Sequence, residues 1–108
     1  MIRYCLTLDL KNDPELIRRY EEHHKSVWPE IKNSIRNAGI LQMEIYRYAT
    51  RLFMIIEVKD DFSFDDKKKA DDANPKVQEW EHLMWQFQQS VGTGKNEKWV
   101  LMNRIFEL

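Results

Sequence analysis

The sequence predicts an α+β fold in which helices pack on one face of an antiparallel sheet. Three observations carry this. The chain opens with strand-period alternation, two segments have helical periodicity, and a strand hairpin lies between those two segments. Its 108 residues make one domain, residues 1–108, with enough chain for a single core.

The elements follow in order. Ile2, Tyr4, Leu6, Leu8 and Leu10 alternate with Arg3, Thr7, Asp9 and Lys11, the period of a half-buried strand. Asp13-Pro14-Glu15 marks a helix start: a capping carboxylate, a proline in the first turn and an acid at the positive end. That helix is expected from Pro14 to about Lys25. Trp28 precedes Pro29, so a break falls around Ser26 to Trp28. A second helical piece runs from Pro29 to Asn37, with Ile31 and Ile35 inward and Gly39 as its stop signal. Strands at Ile40–Tyr48 and Leu52–Val58 form a hairpin around Ala49-Thr50-Arg51. Both faces of the second strand are largely apolar, which predicts burial on both sides. The charged run from Asp60 to Asp72 is expected as a solvated loop and helix edge. Pro75 opens a last helix whose stripe is Val77, Trp80, Met84, Phe87 and Val91. A loop at 92–97 and a final strand from Trp99 to Leu108 complete the order β-α-β-β-α-β, that of ferredoxin-like domains. One sheet face stays bare in a monomer, and exposed apolar area of that size marks an interaction surface.

Composition removes several function classes. Seventeen basic residues balance eighteen acidic ones, so a nucleic-acid surface is not expected. No apolar run is long enough for a membrane span, and polar residues interrupt the first stretch where a signal peptide would need a hydrophobic core. The lone Cys5 has no disulfide partner within the chain, pointing to a reducing, cytoplasmic setting. Nothing places a base beside it, so it is a poor candidate nucleophile.

Tyr20 and His24 are the residues with chemistry. Four apart on a helix, they share the face of Leu16, Ile17 and Val27 and point inward. An imidazole can move a proton near neutral pH, and a phenol can orient or share it. The competing explanation is a satisfied core histidine beside an ordinary packed tyrosine.

The run from Tyr20 through His23, His24, Trp28 and Pro29 to Glu30 resembles the signature of the L-rhamnose mutarotase family, small sugar-anomerising enzymes. The likeness continues through Met1-Ile2-Arg3, Ile45-Tyr46, Gln78 and Trp80, and the Phe106 to Leu108 ending. It implies a dimeric α/β barrel, a monosaccharide substrate and no cofactor or metal. It assigns proton donation to His24 rather than His23, and substrate contact to Tyr20 and Trp80. Trp28 is grouped with these substrate-binding candidates, its alternative role being a plug at the helix break. Glu30 is a candidate cap for the second helical piece. Two positions depart from the family pattern: Met43 stands for a substrate-contacting tyrosine, and Glu81 for a second tryptophan. Both changes fall at sugar-binding positions, which makes L-fucose a competitor to L-rhamnose. The same barrels host cofactor-free monooxygenases, haem-degrading proteins and ligand sensors, the rival classes. A metal site from His23, His24 and His82 is the weakest option, because adjacent helical histidines point apart.

Overall fold

The computed structural model describes residues 2–91 and 98–108. Strand β1 (Ile2–Leu10) leads into helices α1 (Pro14–His24) and α2 (Pro29–Asn37). Strands β2 (Ile40–Tyr48) and β3 (Arg51–Val58) follow, then helices α3 (Phe64–Asp72) and α4 (Pro75–Trp85). Two short strands, β4 (Gln88–Gln89) and β5 (Val100–Leu101), end the order.

The sheet runs β2-β3-β1-β4, all antiparallel, and β5 also pairs with β1. β3 takes one edge of β1 from Ile2 to Asp9. On the other edge β4 meets Asp9 and Leu10, while β5 meets Leu6 and Thr7. Two short pieces therefore share the fourth-strand place. This is the ferredoxin-like order, and the sheet is open rather than closed.

Local chemistry sets the helix ends. The Asp13 carboxylate accepts from the backbone N–H of Glu15 and Leu16 at 2.9 and 3.2 Å. Asn74 does the same for Lys76 and Val77 at 3.0 and 3.3 Å. Each satisfies donors that a first helical turn leaves without partners. Trp28 sits at φ −58°, ψ 139°, extended as a residue before proline must be, and the chain breaks there. No side chain caps α2; Glu30 stays exposed in its first turn and contributes only charge near the helix dipole. After α2, Gly39 adopts φ +97°, a conformation that a side chain would strain.

The core lies between the sheet and the helices. Leu8, Leu52 and Phe87 are fully buried with Tyr20, Ile31, Val77, Trp80 and Met84 around them, and Val58 is fully buried in a second cluster with Leu6, Ile40, Met54 and Ile56. Burial along β3 alternates strictly: Leu52, Met54, Ile56 and Val58 are buried, while Phe53, Ile55 and Glu57 are only partly covered. The expected burial on both faces is thus half met within one chain.

Three expectations need correction. The run Asp60–Asp72 is not mainly loop: Phe64–Asp72 is a full helix, capped by Ser63 and braced by Lys67–Asp71 and Lys68–Asp72 pairs at 2.5 and 3.0 Å. The last helix stops at Trp85, so Phe87 reaches the core from beyond its end and Val91 lies past β4. The final strand, expected over Trp99–Leu108, spans Val100 and Leu101, is followed by a Met102 N–H bond to the Cys5 carbonyl at 2.8 Å, and leaves Ile105, Phe106 and Leu108 exposed. The loop expected at 92–97 lies outside the described residues.

Candidate active site

The helix break after α1 leaves a gap between the helices and the inner sheet face. A cavity of about 660 Å³ occupies it, within the size range of small-molecule sites. Its floor is apolar, from Met54 and Ile56 of β3 and Met43 and Ile45 of β2. Tyr20, His24, Trp80, Glu81 and Gln88 also line it. Charged residues of α3, including Lys67, Lys68 and Asp71, form part of its rim.

Tyr20 and His24 stack with ring centroids 4.4 Å apart and planes inclined by 27°. This is the i, i+4 relation of one helix face. His24 also meets Trp80 edge-on at 5.8 Å. Its Nδ1 lies 2.8 Å from the backbone carbonyl of Tyr20. A carbonyl only accepts, so Nδ1 carries the hydrogen and the neutral ring keeps its lone pair at Nε2. Burial pushes the His24 pKa below its ordinary value; the Tyr20 carbonyl opposes this, and nearby His23 adds to the lowering. The imidazole is therefore neutral at pH 7, with one nitrogen anchored and the other available. Burial also pushes the Tyr20 phenol up to about 12, against the opposing hydrogen bond from Gln88. That phenol keeps its proton at any working pH and can donate.

His23 faces elsewhere. Its ring lies 5.5 Å from Phe87 and 6.5 Å from Trp80, and it does not line the cavity. Trp28 is also absent from the wall. It packs edge-on against Trp80 at 5.0 Å, beneath the Lys76 ammonium at 5.6 Å. Its position is at the helix break, behind Trp80.

Both departures from the family pattern lie on the cavity wall. Met43 contributes a thioether from β2, and Glu81 accepts from Lys98 Nζ at 3.2 Å. Sequence reasoning missed Gln88 and the α3 rim. The rim had a visible signal in Ser63 followed by lysine–aspartate pairs four apart. Gln88 had none, because its burial depends on where α4 stops. Among the described residues no group of three or more His, Cys, Asp or Glu is arranged to hold a metal ion.

The sequence profile of the L-rhamnose mutarotase family matches residues 3–108. An L-fucose mutarotase of Xanthomonas campestris pv. campestris is 42% identical, covering 100% of this chain and 89% of that protein. The crystal structure of an L-rhamnose mutarotase from Formosa agariphila superposes with a TM-score of 0.73 at 20% identity, covering 100% and 99% of the two chains. The tetracenomycin F2 cyclase of Streptomyces glaucescens, a polyketide cyclase, reaches 0.63 at 16% identity over 100% and 99% of the chains. At such identities the two structures speak for the fold alone, and the second shows that this fold carries other chemistry. The match along nearly the whole chain decides the family: this protein belongs to the L-rhamnose mutarotase family.

Proposed function

We propose that this protein is an aldose mutarotase that interconverts the α and β anomers of a 6-deoxyhexose, with L-fucose preferred to L-rhamnose. The observation that carries the reading is His24: a neutral imidazole with Nδ1 anchored, stacked on Tyr20 in a cavity walled by Trp80. The sugar preference rests on the full-length likeness to an L-fucose mutarotase and on Met43 and Glu81 at the wall.

Ring opening needs a proton removed from the anomeric hydroxyl and one delivered to the ring oxygen. Both oxygens are bonded to the same carbon, so a single nitrogen can serve them in turn. Neutral Nε2 takes the hydroxyl proton, C1=O forms, and the C1–O5 bond breaks with its electron pair left on O5. The imidazolium then returns the proton to O5. Rotation about C1–C2 turns the other aldehyde face to O5, and closure reverses the same steps. Protons balance within one histidine, and the lowered pKa helps the second transfer because it makes the imidazolium the stronger acid. Tyr20 donates to a sugar oxygen, while Trp80 offers an aromatic surface to the C–H side and methyl group of a deoxy sugar.

The working unit in this proposal is a homodimer. Phe53, Ile55 and the Tyr46 ring, 52% exposed, form an apolar stretch on the outer sheet face, and the exposed Phe106 and Leu108 extend it in kind. The free Cys5 fits a cytoplasmic setting. Among the described residues no helix is long and apolar enough to cross a membrane.

Saturation-transfer NMR on the anomeric protons of L-fucose, L-rhamnose and neighbouring aldoses tests the reading. Added protein should transfer saturation between L-fucose anomers at catalytic concentration. No enhancement for any of these sugars defeats the proposal.

A further inference from the structure

Thr7 and Gln88 are the buried polar side chains among the described residues. The Thr7 hydroxyl is used within the sheet, donating to the Leu52 carbonyl at 2.8 Å. Gln88 differs. Only 6% exposed, it lies on the cavity wall, and its Nε2 donates to the Tyr20 hydroxyl oxygen at 3.4 Å. A primary amide is costly to bury on a wall shared with Met84 and Trp80, and an apolar side chain of the same length would avoid that cost. Packing alone does not explain a glutamine here.

We propose that Gln88 is a positioning residue that acts through Tyr20, fixing the phenol as a hydrogen-bond donor to the bound sugar. This rests on the mutarotase reading above. When the amide N–H donates to the phenol oxygen, the phenol hydrogen must turn to another acceptor, and the cavity lies beside both groups. A pyranose ring oxygen can only accept, so a wall that binds it must present a donor. The opposite amide orientation would spend the phenol hydrogen on the amide oxygen and leave the sugar facing a lone pair. At 3.4 Å the contact is long for a hydrogen bond. The backbone supports the placement. Gln88 pairs with Leu10 at the end of β1, so the amide is held by the sheet rather than by a free loop.

The test is a double-mutant cycle on anomer exchange, with Gln88→Met as the near-isosteric variant that lacks the donor and Tyr20→Phe as the second change. Wild-type enhancement is measured first. Its absence defeats the mutarotase reading itself, whereas enhancement that survives Gln88→Met unchanged defeats only the role of Gln88. Gln88→Met should raise KM about five- to tenfold with kcat within about twofold, the pattern of lost binding that ground and transition states share. In the Tyr20→Phe background the same change should alter KM less than about twofold. Equal losses in both backgrounds would overturn the proposal, because Gln88 would then act independently of Tyr20. Should Gln88→Met not fold, the wild type decides through the side-chain amide ¹⁵N–¹H signals of Gln88. They should shift on Tyr20→Phe and again when L-fucose is added to the wild type; unmoved signals overturn the assignment.

Discussion

Two walls of the same cavity are built on different terms. On the α1 side, Tyr20 and His24 come from one helix face and stack on each other. Elsewhere around the cavity, Met43, Glu81 and Gln88 come from β2, α4 and β4, with Gln88 reaching Tyr20. Proton transfer needs one nitrogen at a set place, which a single helix turn supplies. Recognition needs donors and acceptors matched to each hydroxyl, which several elements can retune separately. In the function proposed above, the α1 residues carry the reaction and the residues from the other elements carry the choice of sugar.

The largest expected effect lies on the α1 wall. His24→Ala should lower anomer exchange at least a hundredfold, the lower range for a positioned acid–base group. His23→Ala, altering a ring outside the cavity, should stay within about twofold. Comparable losses in both variants, read by the same NMR exchange, would remove the reason for choosing His24. Next comes Trp80, which serves both walls and the core. Trp80→Ala should cost about 3–5 kcal/mol of stability by urea unfolding, along with activity. Trp28→Ala, half-buried behind it, should cost clearly less and leave KM little changed. A KM rise as large as that of a milder Trp80→Phe variant would place Trp28 in direct contact with sugar.

A third effect follows from His24 burial. Its pKa is lowered in the folded state, so the unfolded chain takes up the proton first as pH falls. Stability is therefore full above the ordinary value of about 6.5 and declines as pH drops from there toward the lower folded value. The urea midpoint of the wild type should fall between pH 7.5 and 5 more than that of His24→Ala. Identical pH slopes would mean that His24 is not desolvated. The smallest effect belongs to the opposite wall. Glu81→Gln breaks a pair with Lys98 in which both side chains are more than a third exposed, so stability should change by less than about 1 kcal/mol. A larger loss would make Glu81 a structural residue rather than a recognition residue.

What the sequence made legible follows from how local each signal was. Asp13-Pro14 and Trp28-Pro29 define helix ends within a few residues of themselves, and the structure places those boundaries there. The alternation in β1 and β3 reports which face is buried, a property of each strand by itself. Helix α3 was obscured because it carries charge on most sides and buries no residue fully, leaving little apolar period to read. The end of the chain was misjudged for another reason. The apolar residues Ile105, Phe106 and Leu108 suggest a strand, but pairing along β1 goes no further than the Met102 N–H bond to the Cys5 carbonyl and leaves them exposed. At the site, the one-turn spacing of Tyr20 and His24 was visible in the sequence. The approach of Gln88 to Tyr20, 68 positions apart, arises only when β4 pairs with β1.

The division of labour between the walls is tested most directly by one ratio: the anomer-exchange rate for L-fucose over that for L-rhamnose, in the wild type and in Met43→Tyr/Glu81→Trp. A buried hydroxyl partner left unmatched costs about 1–3 kcal/mol, so the ratio should move at least several-fold toward L-rhamnose while exchange itself persists through His24. Rates for both sugars that fall in the same proportion would contradict the account, because these positions would then support activity without choosing its substrate.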